Sequence, residues 1–406
     1  MTDTPTGNII TDNAIGAYET FITMSSGKHP ESNRAQGIIL TQSQIVAIRK
    51  YAYKAIRLPT SMVDVKAYLN FNVDAGIGNK PEDFRGSFII IHNHAKRWDR
   101  IYRDIKLVTT ELKLFGAKMI IYGNAMDRII GEIKAANILK GLGIRSYADL
   151  AAAKITMGTA FPDLTLDAED LQIAATFGEC ISIMLRGVTA QHRKAQAIND
   201  ALSSFANDLA NNVQQQISTR LAAVEAPSLN AKVKALTDKI AERAVAIDEK
   251  TREYKSAVEK SLSAAAGLNL FGLGMAIYIG VEAEKIRKER NALSDLQQAD
   301  ISLLEAQEQT LGRLAQIKLD LQNLDTLIFS ADKATKNLVS VWDSITLYAQ
   351  SSKEATEEIT DGMSAIMFSI EFALVVEPWK QMSNDVEDLQ QVFIDADTEF
   401  NQIYQP

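Results

Sequence analysis

The chain has 406 residues, a formal net charge of −8 and a pI near 5.3, and only 8 residues are proline. Alanine, leucine and charged residues with high helix propensity are abundant, which favours an all-α fold. The acidic balance argues against nucleic acid as a partner, because phosphate binding needs clustered Lys and Arg. With Cys180 as the single cysteine, no intramolecular disulfide can form, so we expect a fold independent of an oxidising compartment.

The N-terminal stretch MTDTPTGNIITDNAIGAYET lacks a basic segment followed by an apolar one, so it does not have the pattern of a secretory signal peptide. We therefore expect export, where it occurs, to use another route. The first strong helix signal follows, because Thr41 or Ser43 can cap a periodic apolar set. Pro59 should end that helix, since proline has no amide hydrogen to donate. The set is Ile45, Ile48, Ala52 and Ile56.

From about Glu82 to Leu139, apolar residues recur at three- and four-residue steps, which predicts one long amphipathic helix. Gly141 and Gly143 should terminate it. The same periodicity resumes after Pro162, and it predicts a second long helix that Asp163 or Thr165 caps.

Two charge-rich helical arms follow, and their apolar residues show the spacing of a coiled coil. The second arm is predicted from Glu282 to about Ser330, nearly 50 residues, which as one helix would extend about 70 Å. Further on, Met363–Val376 is apolar except for Glu371. It is short for a membrane span, so we expect a packed core helix there.

The run Ser261–Val281, SLSAAAGLNLFGLGMAIYIGV, separates the two arms and contains no charged residue. If the arms pair antiparallel, both ends of this run lie on the same side of any membrane. Each half then has about ten residues and reaches only about 15 Å as helix, half of the hydrocarbon thickness. The run is therefore expected to form an apolar tip that anchors in one leaflet. The alternative is a buried loop or helix in a globular head.

Cations flank this run on both arms and can reach lipid headgroups while their stems stay apolar. The candidates for headgroup contact are Lys260, Lys285, Arg287 and Lys288, with Lys255 and Arg290 close by.

No catalytic or metal-binding pattern is found in the sequence. His92 and His94 are two residues apart, do not share a helix face and have no accompanying Cys or carboxylate motif. Gly76 and Gly78 lack the third glycine and the preceding strand of a dinucleotide loop. We therefore expect neither enzymatic activity nor a cofactor.

The layout resembles the cytolysin A-type α-pore-forming toxins, and within them the A component of the two-component alpha-xenorhabdolysins. The residues that carry the resemblance are RLPTSMVDVKAYLNF at 57–71 and GLNLFGLGMAIYIG at 267–280, followed by the charged arm. The resemblance implies a soluble, secreted monomer that lyses host cells. It would bind target-cell membrane lipid and assemble with a smaller B component into a ring of heterodimers.

The resemblance also implies roles for the residues of the apolar run. The implied membrane-contacting residues are Leu268, Leu270, Phe271, Leu273, Met275, Ile277, Tyr278 and Ile279. The implied hinge or packing residues are Gly267, Gly272, Gly274 and Gly280.

The expected organisation is a helical-bundle tail, made of residues 1–227 and 331–406, and a coiled-coil hairpin over 228–330. The tip at 261–281 would end that hairpin. A second function stays open from the sequence: a non-toxic coiled-coil scaffold whose apolar tip docks a protein groove.

Overall fold

The computed structural model describes residues 9–28, 35–69, 80–223, 231–267, 281–381 and 383–404, and these ranges are mostly helical. Apart from an isolated β-bridge between Thr165 and Asp361, they contain no strand. The predicted all-α fold class is therefore confirmed. The helices are α1 (Ile9–Ser25), α2 (Gln42–Ile56), α3 (Met62–Leu69), α4 (Pro81–Lys96), α5 (Trp98–Glu132), α6 (Lys134–Gly141), α7 (Tyr147–Met157), α8 (Ala168–Asp208), α9 (Gln214–Ala223), α10 (Ala231–Gly267), α11 (Val281–Gln307), α12 (Gln309–Glu357), α13 (Gly362–Gln381) and α14 (Ser383–Tyr404).

Helix α2 begins at the predicted cap, Thr41. The Thr41 hydroxyl accepts a hydrogen bond from the Gln44 N–H at 3.4 Å, and the Gln44 side chain accepts one from the Thr41 N–H at 2.9 Å. This reciprocal pair satisfies two backbone donors that a helix N-terminus otherwise leaves unpaired. The helix ends at Ile56, shortly before Pro59, as expected.

The helix predicted from Glu82 to Leu139 is three helices in the structure, α4, α5 and α6. The helix is interrupted at Arg97, which keeps helical dihedrals of φ −69° and ψ −23°, and the chain bends at Ile133, whose backbone is extended with φ −75° and ψ 115°. The bend at Ile133 frees the N–H of Lys134, which donates to the carboxylate of Asp170 in α8 at 2.9 Å. The prediction of one helix was wrong because the apolar spacing continues across both interruptions.

Helix α8 begins directly after Asp167, whose side chain caps it by accepting a hydrogen bond from the Asp170 N–H at 2.8 Å. The predicted caps, Asp163 and Thr165, instead bond to each other in the preceding loop, where Thr165 donates to the Asp163 carboxylate. The predicted long helix then continues into α9 through a π-helical turn at Leu209–Val213.

A large core, which we call the main core, joins α1, α2, α4–α6, α8, α9 and α12–α14. Trp342 of α12 and Trp379 of α13 are buried near its centre. The Phe115 ring of α5 meets both of them edge-on, with centroids 5.0 and 5.3 Å away, and Tyr18 of α1 stacks on Trp379 at 3.7 Å. Such aromatic contacts add to the stabilisation from apolar burial.

The apolar stretch Met363–Val376 lies in α13 and packs into the main core, as the sequence predicted. By length and composition alone, two helical stretches, Ala168–Leu221 and Gly362–Tyr404, are apolar enough to cross a membrane. Both contribute side chains to the main core, although only 28% of the apolar window in Ala168–Leu221 and 56% of that in Gly362–Tyr404 is buried.

Candidate functional site

Helices α10 and α11 form an antiparallel pair, which we call the tip hairpin. Lys239 of α10 pairs with Asp300 of α11 at 2.9 Å, and Lys250 of α10 pairs with Glu289 of α11 at 3.1 Å. Because residue numbers rise along α10 while those of its partners fall along α11, the two helices run in opposite directions. The last residue of α10 and the first residue of α11 therefore lie at the same end of the hairpin.

The predicted membrane tip, residues 261–281, connects the two helices at that end. Its side chains, and the backbone of residues 268–280, lie outside the described residues. All of the predicted membrane-contacting side chains and glycines fall in this stretch, so their roles remain predictions from the sequence.

The predicted headgroup cations occupy the turns of α10 and α11 next to the tip. Lys260, Lys285 and Lys288 are exposed. Arg287 is half-buried and makes a bidentate ion pair with Glu284, one turn earlier, at 2.7 Å. The structure thus brings the four cations together at one end of the hairpin, on both of its helices.

The arm predicted to run unbroken from Glu282 to Ser330 is interrupted in the structure. Helix α11 ends before Glu308, and Glu308 is the N-cap of α12, where its carboxylate accepts a hydrogen bond from the Leu311 N–H. Across the break, Arg290 of α11 donates to the backbone oxygen of Gln322 in α12 at 2.8 Å. The prediction of one 50-residue helix was therefore wrong, because the chain reverses direction at Glu308.

Gly312 allows α11 and α12 to approach closely where the chain reverses direction. A Cβ atom at Gly312 would lie 2.4 Å from the Cα of Glu305 and 2.5 Å from its Cβ, much closer than real carbon atoms approach. Any side chain at this position would push α11 and α12 apart.

Helix α10 runs parallel to the first half of α12, so the whole tip hairpin lies along α12. Gln322 donates to the backbone oxygen of Ala244 at 3.0 Å, and Lys255 pairs with Asp325 at 2.7 Å. Nearest the tip end, Lys333 lies at the midpoint of α12 and approaches Glu259 of α10. The hairpin is therefore folded back along α12, and its tip end lies beside the middle of that helix.

Two small apolar clusters and a run of buried polar side chains hold the tip hairpin against α12. We call the polar run the polar seam, and it consists of Thr251, Arg290, Ser294, Gln297, Asp300, Gln322, Thr326 and Ser330. The apolar clusters are separate from the main core and consist of Val233, Ile240, Ile247, Ile301, Leu304, Leu311, Ala315 and Leu319, and of Tyr254, Val258 and Ala283.

Arg290 is the central residue of the polar seam and is only 2% exposed. Its guanidinium donates to the Thr251 hydroxyl at 3.0 Å, to the Asn323 amide oxygen at 2.8 Å and to the Gln322 backbone oxygen. Within the described ranges no carboxylate lies at ion-pair distance from it. Burial without a counter-ion lowers the pKa of Arg290 to about 10. Arg290 therefore joins three helices, and unlike the neighbouring Lys285 and Lys288 it is buried.

Two atoms of the polar seam on α12, Oε1 of Gln322 and Oγ1 of Thr326, are buried without a hydrogen-bond partner among the described residues. The same holds for Oε1 of Gln297, whose amide nitrogen bonds to α10 within the hairpin. A buried polar atom without a partner costs about 1–3 kcal/mol. The contact between the tip hairpin and α12 is consequently weaker than an apolar interface of the same size.

His94 makes structural contacts with two neighbouring helices. His94 is buried, with Nδ1 at 2.8 Å from the Tyr51 hydroxyl and Nε2 at 3.1 Å from the Phe205 backbone oxygen. Burial lowers the pKa of His94 to about 4, so the imidazole is neutral at pH 7. No group of three metal-ligating side chains occurs among the residues described.

No protein-family model and no curated protein matches the sequence. Among solved structures, the chain is similar to YaxA from Yersinia enterocolitica, with 21% identity over 90% of this chain and 100% of that chain and a TM-score of 0.49. It is also similar to XaxA from Xenorhabdus nematophila, with 20% identity over 90% and 99% of the two chains and a TM-score of 0.45. YaxA and XaxA are A components of the alpha-xenorhabdolysin pore, the family that the sequence resembles.

A third solved structure aligns over more of the chain. It is soluble SmhA, from the tripartite α-pore-forming toxin Smh of Serratia marcescens, with 12% identity over 97% of this chain and 98% of that chain and a TM-score of 0.53. This likeness covers the main core and the tip hairpin together. The chain therefore has the helical fold that SmhA adopts.

Proposed function

We propose that the protein is a subunit of a two-component α-pore-forming cytolysin. It binds target membranes through the tip at 261–281 and assembles with a smaller second component into an oligomeric pore. The observation that carries this proposal is the uncharged run of 21 residues between two antiparallel, charge-rich helices. The cations Lys260, Lys285 and Lys288 at its base suit contact with phosphate headgroups.

The fold supports the proposal, since SmhA is a component of a pore-forming toxin. The second component and the ring are taken from the resemblance of the sequence to the alpha-xenorhabdolysin A components. Export without a signal peptide belongs to the same proposal.

The energetics of the tip favour reversible membrane binding by a single copy. Nine strongly apolar residues in the run contribute about −0.3 to −0.6 kcal/mol each, about 3–5 kcal/mol in total. Asn269, the serines and the glycines offset part of this gain. Stable attachment therefore requires several copies, as in an oligomeric ring, where avidity multiplies weak contacts.

For the tip to reach lipid in this proposal, the hairpin leaves α12. Straightening at Glu308 would join the 27 residues of α11, Glu308 and the 49 residues of α12 into one helix about 115 Å long. The tip would then move from beside the middle of α12 to a point beyond its N-terminal end. The incompletely bonded polar seam lowers the free energy needed for this release, compared with an apolar interface.

Liposome flotation and erythrocyte lysis test the membrane role of the tip. Leu273→Glu and Ile277→Glu should each reduce flotation at least tenfold and abolish lysis, because a carboxylate is costly in hydrocarbon. Circular dichroism and the melting temperature should stay near those of the unmodified protein. The matched control is Val245→Glu, at a position on α10 that is 55% exposed, and it should float normally.

Two results would count against the proposal. Unchanged lysis by both tip variants would show that the tip does not contact the membrane. A large loss of stability would show that the tip is buried in a core. Absence of flotation by the unmodified protein would favour the scaffold alternative. Lysis should be measured with and without the product of a neighbouring co-encoded gene, which tests the second component.

A further inference from the structure

A row of exposed apolar side chains runs along the solvent face of α5. Leu107, Leu114 and Ile121 are 57%, 56% and 62% exposed, although the opposite face of the same helix, which includes Leu112 and Phe115, is buried in the main core. Each of the three residues follows the previous one by seven positions, so together they form one row along the helix that spans two heptads. We call them the α5 stripe.

The α5 stripe has the geometry of a coiled-coil seam. The intervening positions at three- and four-residue spacing are Thr110 and Ala117, both exposed and both small. The apolar row is one side chain wide and spans about 21 Å. A narrow straight row of this kind fits between the side chains of another helix, whereas membrane-surface helices present a broad apolar face.

The α5 stripe has basic surroundings on a protein of net charge −8. Arg103, Lys118 and Arg128 are exposed and lie on the same face of the helix, and none forms an ion pair with a described residue. Of the acids near the stripe, Glu111 pairs with Lys194 of α8 and Asp104 lies 3.9 Å from Arg100, while Asp99 and Glu132 lie at the two ends of α5, beyond the stripe. A partner that covers this face must supply the carboxylates.

Helix α14 packs beside α5, next to the α5 stripe, and shows that the lysines there pair with an acidic helix. It contains six acidic residues and no basic residue, and it packs antiparallel beside α5. Lys106, one residue before Leu107, pairs with Asp397 at 3.0 Å, and Lys113, one residue before Leu114, pairs with Glu387 at 2.7 Å. Lys106 and Lys113 are thus paired with an acidic helix of the same chain, while Arg103, Lys118 and the apolar side chains of the α5 stripe are not.

We propose that the α5 stripe docks an acidic amphipathic helix of a partner subunit. That helix would carry an apolar side chain at every seventh position and carboxylates on both flanks, to meet Arg103 and Lys118. The partner meant is the second pore component, so the proposal rests on the function proposed above. A second copy of this chain and a lipid surface are the alternatives that the experiments distinguish.

The first test uses a defined probe and needs neither membrane nor toxin activity. The probe is a fluorescent designed helical peptide of about 28 residues, four heptads, with leucine at every seventh position and flanking glutamates. We expect measurable binding to the intact protein by fluorescence anisotropy, weakened at least tenfold by Leu107→Glu/Leu114→Glu. A peptide with lysine in place of glutamate should not bind. Failure of the acidic peptide to bind, or equal binding of both peptides, would overturn the proposal.

The second test concerns assembly on liposomes with the product of the neighbouring gene. Leu107→Glu/Leu114→Glu should float as well as the unmodified protein, yet form at least tenfold less hetero-oligomer and cause correspondingly less lysis. Ile155→Glu, at a position of α7 that is 85% exposed, is the matched control and should change neither. If the unmodified protein did not float with liposomes, the proposed function itself would be rejected. Normal assembly by the double variant would reject the docking site alone.

A photo-crosslinking amino acid at position 114 identifies what covers the stripe in the assembled state. Cross-links to the second component support the proposal. Cross-links mainly to lipid or to another copy of this chain would contradict it.

Discussion

His94 illustrates how one buried polar side chain can join three helices. Through its two ring nitrogens it connects Tyr51 of α2 and the Phe205 backbone of α8 to its own helix, α4. The ring also stacks on Phe205 with centroids 3.8 Å apart. Both hydrogen bonds are compatible with a neutral imidazole, and protonation would place an additional charge in the core next to the Arg97–Asp208 ion pair.

The lowered pKa of His94 predicts a pH dependence of stability. Its pKa is about 4 in the folded protein, against 6.5 for an unperturbed histidine, so the unfolded chain binds more protons between these values. The stabilisation is complete above pH 6.5 and is lost as the pH falls towards 4, by about 3 kcal/mol. His94→Gln should flatten that part of the curve of melting temperature against pH.

Individual residues were predictable from the sequence where the governing interaction is local. The Thr41 cap depends on a residue three positions away, so its pattern could be read directly. Arg290 stands in a run of charges, EAEKIRKER, that is otherwise solvated. Its burial depends on Thr251 and Asn323, 39 and 33 residues away, and no local pattern reveals such contacts.

At the scale of elements, the reversal between α11 and α12 depends on the absence of a side chain at Gly312. Gly312→Ala should force the two helices apart, because its Cβ would overlap backbone atoms of Glu305. We expect a loss of about 1–3 kcal/mol in the free energy of unfolding. We also expect faster proteolysis within the tip hairpin, since its contact with α12 would loosen. Urea unfolding and limited proteolysis measure the two effects.

Gly131 in α5 provides the matched control for this substitution. It is also a helical glycine, but a Cβ there would meet no atom within 4 Å. Gly131→Ala should therefore be neutral or stabilising by up to about 1 kcal/mol, because alanine has the higher helix propensity. If both variants behaved alike, close packing at Gly312 would not be what fixes the reversal.

The helices themselves were predictable, but the bends between them were not. Apolar periodicity locates a buried face, and this face continues through Arg97 and Ile133. In the second arm the polar residues Asp300, Gln307 and Thr310 interrupt the apolar spacing, but such residues also occur within unbroken helices. None of Arg97, Ile133 and Glu308 is a glycine or a proline, although Gly131 lies two residues before Ile133 and Gly312 four residues after Glu308. The α5 stripe could have been found as a second heptad row on a helix that already had a complete buried face.

At the scale of the whole molecule, the main core and the contacts of the tip hairpin are energetically distinct. The main core is apolar and aromatic, whereas the hairpin is held against α12 by two small clusters and a polar seam in which, among the described residues, Oε1 of Gln322 and Oγ1 of Thr326 lack a hydrogen-bond partner. Local opening follows the least stable contacts, so the hairpin should separate from α12 before the main core unfolds. A protein built this way can expose its tip while its remaining helices keep their packing.

A disulfide between α11 and α12 tests whether this separation is needed for function. The Ser294 hydroxyl lies 3.3 Å from the Asn323 amide oxygen, so the two side chains meet across α11 and α12. Mass spectrometry first verifies that cysteines placed at both positions form the disulfide, before lysis is measured. With Cys180→Ser to remove the native thiol, the oxidised Ser294→Cys/Asn323→Cys protein should lose at least 90% of its lysis, which corresponds to about 1.4 kcal/mol or more against the open state. Dithiothreitol should restore the activity.

The single variants Ser294→Cys and Asn323→Cys, treated with the same oxidant and reductant, separate the effect of the bridge from that of the substitutions. Each should lyse erythrocytes equally under both conditions, since neither can join α11 to α12. Liposome flotation of the oxidised double variant then locates the block. Lost flotation would mean that the tip hairpin separates from α12 before the protein contacts lipid. Normal flotation without lysis would mean that this separation occurs between membrane anchoring and pore formation. Full lysis by the oxidised protein would mean that the tip acts while the hairpin stays folded along α12, and straightening at Glu308 would have no part in the mechanism.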